Sequence, residues 1–365
     1  MRRLPTTGLW ALLLAFALGS GPAAPAERVE FRLAYRVGAT TTHRVVTETV
    51  GTMKFPDPIP EQKFTQRFEQ DLVQKCVRVA PDGGAVVEVR MARVAMRMTV
   101  GSLRVDFDSA AFDPASPSGD PRSDALGKLL VPLTELTWTI TLDAAGQPTR
   151  IEGLAQAFDK VIESIGTDGP LFARRTIEQL RSFFNDEAMA EQMRSCYRIA
   201  PGTGVRSPGD TWERAWEMKI PMFNLAVTGR GEYRFVGMED IRGRRLARIR
   251  MSETARVTPG QKPPGPAGLP NAPSLFDQME MTLEMGEGEG YALWDPASGE
   301  LVQQRQTQRM TMRIGIRPDP RASDESLRRG LSGMEARLRT AVRVDLLGPD
   351  GQPVVPPLDT ATRPR

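Results

Sequence analysis

A single histidine, His43, and two cysteines, Cys76 and Cys196, bound the chemistry open to this 365-residue chain. A Ser-His-Asp or Cys-His arrangement would have to use His43 as its base. His43 stands among Thr40, Thr41, Thr42 and Arg44 at a strand start, where a solvated or hydrogen-bonded imidazole is the ordinary outcome. No catalytic partner can be placed beside it. Sites built from several histidines or several cysteines are excluded by arithmetic. Glu287 and Glu289 project from one side of a strand, and their repulsion could raise a carboxyl pKa as a general acid requires. They lie within Gly286-Glu287-Gly288-Glu289-Gly290, which reads more simply as a flexible, solvated strand edge. Those glycines make no phosphate cradle either, because Tyr291-Ala292-Leu293-Trp294 follows as a strand and not as a helix. No catalytic residue, no metal site and no cofactor is assigned.

The methionines are the unusual feature. Met96 and Met98, then Met279, Met281 and Met285, then Met310 and Met312 recur at even spacing, so each group faces one side of its strand. Three readings follow. Thioethers fill irregular gaps in a core, they line an adaptable apolar groove, or they hold Cu(I) together with His43. The copper reading needs three strands to converge on one point.

The elements that must position these groups are mostly strands. Val29, Phe31, Leu33 and Tyr35 alternate with polar residues, as do Leu136, Trp138, Ile140 and Leu142. Trp212, Trp216, Met218 and Ile220 keep one phase, with Arg214 breaking the apolar side. Met334, Ala336, Leu338, Thr340, Val342, Val344 and Leu346 form the longest such run. Turns at Asp82-Gly83-Gly84, Asp143–Gly146, Arg242-Gly243 and Asp295–Gly299 separate neighbours by short distances, which predicts antiparallel meanders. Between Leu154 and about Tyr197 the apolar spacing lengthens to three and four, which predicts short helices carrying Phe158, Phe172, Ile177 and Leu180. Segments 113–124 and 258–274 are rich in proline and glycine and read as loops.

The fold class expected is mainly β (α+β): two tandem antiparallel β-meanders forming curved sheets, with a helical insert packed on one face. Residues 1–26 read as a signal peptide, 27–153 as the first meander half, 154–200 as a helical connector, 201–348 as the second half and 349–365 as a flexible tail. The signal reading rests on Arg2-Arg3, the apolar run Leu9–Leu18 and the small-x-small site Ala24-Pro25-Ala26. That run is too short for the roughly 20 residues of a membrane span. No cysteine precedes Cys76, so no lipoprotein is expected. The chain is expected to be periplasmic or extracellular and not membrane-spanning after cleavage. Such a compartment permits a disulfide, and Cys76 and Cys196 are its candidates; two separate buried thiols are the alternative. With 48 basic and 45 acidic residues the net charge is +3, and loss of Arg2 and Arg3 lowers it further. That leaves no electrostatic footprint for nucleic acid.

Pro208-Gly209-Asp210-Thr211-Trp212, together with Leu142-Asp143, Gly146 and Ile151-Glu152-Gly153, resembles an exported bacterial family of unknown function. That resemblance implies two β-meander halves joined by helices and supplies no activity. At fold level, a curved antiparallel sheet covered by helices is also similar to the lipoprotein-carrier half-barrels of the periplasm. The function expected is non-enzymatic binding of an apolar or amphiphilic, lipid-like ligand between sheet and helices. Trp138, Phe172, Trp212, Trp216, Met279 and Met281 are the residues expected to line the groove. The alternative is a structural or interaction module of the cell envelope with a filled core, whose partners are envelope proteins. A hydrolase or a Cu(I) binder comes third.

Overall fold

The computed structural model describes residues 27–55, 58, 60–113, 115, 123–124, 127, 130–156, 159, 204–220, 225–259, 279–316 and 334–356. Within them the strands are β1 (Val29–Phe31), β2 (Thr40–Lys54), β3 (Gln62–Val79), β4 (Ala85–Val100), β5 (Leu103–Asp108), β6 (Thr137–Leu142) and β7 (Pro148–Glu152). The second half adds β8 (Gly204–Arg206), β9 (Thr211–Ile220), β10 (Leu225–Ile241), β11 (Arg244–Pro259), β12 (Met279–Asp295), β13 (Glu300–Ile316) and β14 (Met334–Leu346). A 3-10 turn at Pro132–Glu135 leads into β6. Helical backbone is also present at 154–156 and at Asp159. The rest of the helical connector expected over 154–200, Phe172 and Cys196 included, lies outside the described residues.

All the long strands belong to one twelve-stranded sheet in the order β7-β6-β4-β3-β2-β14-β13-β12-β11-β10-β9, with β5 beside β4. Two separate curved sheets were expected. Instead β14, the last strand, pairs antiparallel with β2, from His43↔Leu346 to Lys54↔Glu335. The reason is physical: β2 and β14 would each leave a long row of unpaired amides and carbonyls at the edge of its own meander, and pairing them removes both edges. Each meander still follows chain order on its own side of this seam. Register shifts at Asp71/Leu72, Cys76/Arg78, Phe235/Gly237 and Met285/Gly288 mark bulges that bend the strands.

The expected strand through Val29–Tyr35 is shorter in the structure, ending at Phe31 and pairing with β8 rather than with the large sheet. Its alternation serves packing instead. Phe31 is fully buried among Trp212, Phe235 and Ile249 in the core of the second half, edge-on to Phe235 at 5.3 Å. Four residues on, Tyr35 packs against the first-half core of Cys76, Val87, Trp138, Ile140 and Leu142. The segment therefore staples one core to the other.

The same loop-to-bulge arrangement occurs twice. Gly38 N–H donates to Cys76 O (2.8 Å) and Cys76 N–H donates to Ala39 O (3.0 Å). Gly209 N–H donates to Phe235 O (2.8 Å) and Phe235 N–H donates to Asp210 O (3.0 Å). Both glycines have positive φ, +84° and +100°, where a side chain would be strained. Both acceptor residues sit at a bulge.

The tail was expected to be flexible from residue 349. Through Pro356 it folds back on the sheet instead: Leu347 bridges Pro353, Val354 N–H donates to Leu346 O (2.9 Å), and Val355 is 1% exposed beside Leu246, Leu293 and Val302. Val354 and Val355 give this stretch an apolar anchor that its prolines concealed.

Candidate functional site

Antiparallel register assigns every residue of the sheet to one of two faces. The face carrying both cores is called inner here. In β2, β3 and β4 every Lys, Arg, Asp and Glu falls on the outer face, where ion pairs run across strands. Arg44 grips Asp71 through two bonds of 2.7 and 2.8 Å, and Arg67 bridges Glu69 (2.6 Å) and Glu48. On the second half Arg230 pairs with Glu213, and Arg313 with Glu284 and Glu335.

The inner face is different. Apart from Asp240 and Arg245 at the tip of the β10–β11 hairpin, its only formal charges among the described residues of the large sheet are Arg214 and Glu253. One cross-strand row runs Arg214, Gly231, Glu253, Gly288, Gln308, Thr340, Thr49, Gln66, Met98, from β9 to β4. Gln306 and Tyr233 lie in the adjoining row. These residues form a belt of hydrogen-bonding groups. Tyr233 OH donates to Glu253 Oε1 (3.2 Å), Gln306 Nε2 donates to Glu253 Oε2 (2.6 Å), and the Thr49 and Thr340 hydroxyls meet at 3.2 Å. Glu253 is 2% exposed, so both carboxylate oxygens take donors where water is excluded.

On one side of the belt lie the two filled cores. On the other side the same face turns apolar again. Met285, Met310, Leu338, Phe64 and Val100 follow one another across the strands, each partly exposed. Leu283, Met312 and Met53 extend this strip, also partly exposed. Gly51 sits in its middle, where a Cβ would stand 2.0 Å from Arg337 O. Gly290 likewise lets β12 approach Arg305 O, a distance of 2.1 Å for any added Cβ. The glycine run expected to be a flexible strand edge is thus part of an interior strand, between β11 and β13, and Gly288 is buried. Glu287 and Glu289 are exposed there.

The residues expected to line a groove separate into three groups. Trp138 (5% exposed) and Trp212 (8%) are packed into the first and second cores respectively. Trp212 stacks on Tyr233 at 5.7 Å and receives the Arg206 guanidinium at 4.6 Å from its ring, so its faces are engaged within the fold. Trp216, Met279 and Met281 occupy inner-face register positions on the strip side of the belt. Phe172 lies outside the described residues. Trp216 lies across Gly229, where a Cβ would meet its ring at 2.1 Å.

His43 also holds an inner-face position, opposite Leu72 and Leu346. Its Nε2–H donates to Leu301 O (3.1 Å), and burial pushes its pKa down. Three strands, β3, β2 and β14, stand between the methionines of β4 and those of β13, a separation of about 19 Å at ordinary strand spacing. One copper ion cannot take thioethers from both. Cys76 is a free, buried thiol whose pKa burial raises; Sγ donates weakly to Arg78 O at 3.6 Å. A shallow polar depression on the outer face, between Arg67, Glu69, Arg93, Asp106 and Asp108, is filled by their own ion pairs.

The belt was not foreseen. Its one signal in the sequence is Gln304, Gln306 and Gln308, which hold the same phase as Met310 and Met312.

Residues 82–239 match the model of a family of unknown function, DUF6263. Both stretches on which the sequence resemblance rests, Leu142–Gly153 and Pro208–Trp212, fall inside that match. No curated protein matches the chain. Among solved structures, one of lipovitellin, described by its lipid–protein interactions, is 7% identical, with 86% of this chain and 25% of that one covered and a TM-score of 0.33. The chain thus spans about a quarter of that protein. DynF of the dynemicin biosynthesis pathway of Micromonospora chersina is 9% identical over 96% of both chains, with a TM-score of 0.18. An outer-membrane channel of Pseudomonas putida F1 is 11% identical over 87% of this chain and 98% of that one, with a TM-score of 0.19.

Proposed function

We propose that this chain is an exported, non-enzymatic protein that binds an amphiphilic, lipid-like ligand on the inner face of its sheet. The observation that carries this reading is the polar belt bordered by a partly exposed, methionine-rich strip on the same face. A ligand with one polar end and one hydrocarbon end matches that order of surfaces: its head meets the amides and hydroxyls of the belt, and its chain lies on Met285, Met310, Leu338 and Phe64. Methionine suits the task because its unbranched thioether repacks around chains of different shape. A sheet with an apolar face needs a cover, and a bound hydrocarbon chain supplies one. Export follows from Arg2-Arg3 and the apolar run Leu9–Leu18, and places the protein in the periplasm or outside the cell.

A second reading, a structural module of the envelope with a filled core, draws on the packing of Trp138 and Trp212 into closed clusters. The two are separated by native mass spectrometry of protein purified without detergent from its own host, alongside titration with the fluorescent apolar probe N-phenyl-1-naphthylamine. Ligand binding predicts a co-purifying mass and saturable fluorescence. It also predicts that Met310→Lys, which puts a charge in the strip, weakens probe binding on the order of tenfold with circular dichroism unchanged. A clean mass and no saturable fluorescence leave the structural module.

A further inference from the structure

Among the described residues Arg214 has no counter-ion. Its strand neighbours Glu213 and Glu217 face the other side of the sheet, where Glu213 pairs with Arg230. Glu253, two strands away in the same row, is occupied by Tyr233 and Gln306. The Nε of Arg214 is buried without an acceptor, and the residue itself is only partly exposed. Leaving a partly buried guanidinium unpaired is costly, and neutralisation is not open to arginine. A second cation is close. Arg206 lies over Trp212, and the charge of Arg214 is near enough to lower its pKa, after burial and against the opposing effect of Asp210. Asp210 is pinned in its turn by the Ser207 N–H at 2.8 Å. Arg214 thus stands at the end of the polar belt, on strand β9 at the border of the sheet, with Trp212 and Trp216 two residues to either side of it.

We infer that Arg214 is the seat of an anionic headgroup, so that the ligand of the inner face is an anionic amphiphile carrying a carboxylate or a phosphate. This inference rests on the amphiphile reading above and narrows it. The fork of N–H donors on a guanidinium accepts either oxyanion in a two-point grip, and Trp216 offers the adjoining methylenes an apolar flank. The tail then runs from β9 toward Met285 and Met310, along the strip.

Calorimetric titration of the full chain, stripped of bound lipid, with dodecanoate, dodecyl phosphate and dodecanol tests it below their aggregation limits. Wild-type protein is expected to bind at least one anion about tenfold or more tightly than the alcohol. Preference between dodecanoate and dodecyl phosphate tells a fatty-acid head from a phosphate head. Arg214→Gln should erase the difference by weakening the anion alone, Arg214→Lys should restore part of it, and Arg230→Gln, on the outer face, should leave it intact. Equal affinity for anion and alcohol, or an anion preference that survives Arg214→Gln, overturns the headgroup seat while the apolar face stands. Failure of all three probes to bind wild-type protein overturns both.

Discussion

His43 is the one histidine of the chain, and its burial holds the imidazole neutral. Its Nε2–H is committed to Leu301 O while Nδ1 is buried without a donor. Protonating it in the folded state would bury a second N–H with nothing to accept it. The folded pKa therefore lies below the unfolded one, so folding releases a proton in the interval between them. Stability is fully present above the unfolded value near 6.5 and falls as pH drops toward the folded value, by up to about 1.4 kcal/mol per pH unit. Urea midpoints measured from pH 7.5 to 5.5 should show that decline, with His43→Gln flattening it; an equal slope in the variant would assign the proton elsewhere. Tyr35 behaves in the opposite sense: burial, then Cys76 and Asp143, raise its phenol, so it stays protonated across the same range.

At the scale of the element, the seam between β2 and β14 joins the two halves, and Gly51 is its tightest point. A methyl there would press on the carbonyl of Arg337, which is backbone of the paired strand, and on the Leu338 side chain. Gly51→Ala should cost on the order of 1–3 kcal/mol in chemical denaturation, and a neutral result would mean that the seam is loose. This seam was not legible in the sequence. Strand identity was: period-two alternation in Trp138–Leu142, Trp212–Ile220 and Met334–Leu346 reflects which face is buried, and each of these stretches is a strand. Alternation carries no information on which strand lies beside which, so a sheet for each half was expected where the long strands of both halves share one. The same limit applies to the candidate site. Trp138 and Trp212 look equivalent to Trp216 in sequence, yet bulges and cross-strand neighbours decide that the first two fill cores while the third borders the strip. Arg214 was read as an interruption of an apolar phase; it is the residue that distinguishes this face from plain packing. Glu253 escaped notice because a lone acid in a strand rich in arginine reads as surface, and only the register turns it inward.

For the molecule as a whole, Phe31 and Tyr35 tie the two cores together, β1 pairs with β8, and β2 pairs with β14. Two connections, the segment through β1 and the β2–β14 seam, join the halves. Circular dichroism and tryptophan fluorescence should therefore report a single coincident unfolding transition. Segments 27–153 and 201–356 produced separately should each be insoluble, because each exposes a bare edge of thirteen or more strand residues, and should be rescued on co-expression. Two separated transitions, or soluble halves that ignore each other, would count against it. The pairing of β2 with β14 also sets a clock. A ribosome adding about 5–20 residues each second finishes β2 at Lys54 and then needs roughly 15–60 s to reach Met334. Throughout that interval the second border of β2 has no mate, and β-pairing across so long a loop is slow even once the mate exists. A nascent protein of this design depends on something to hold it open and unaggregated until its last strand has been made.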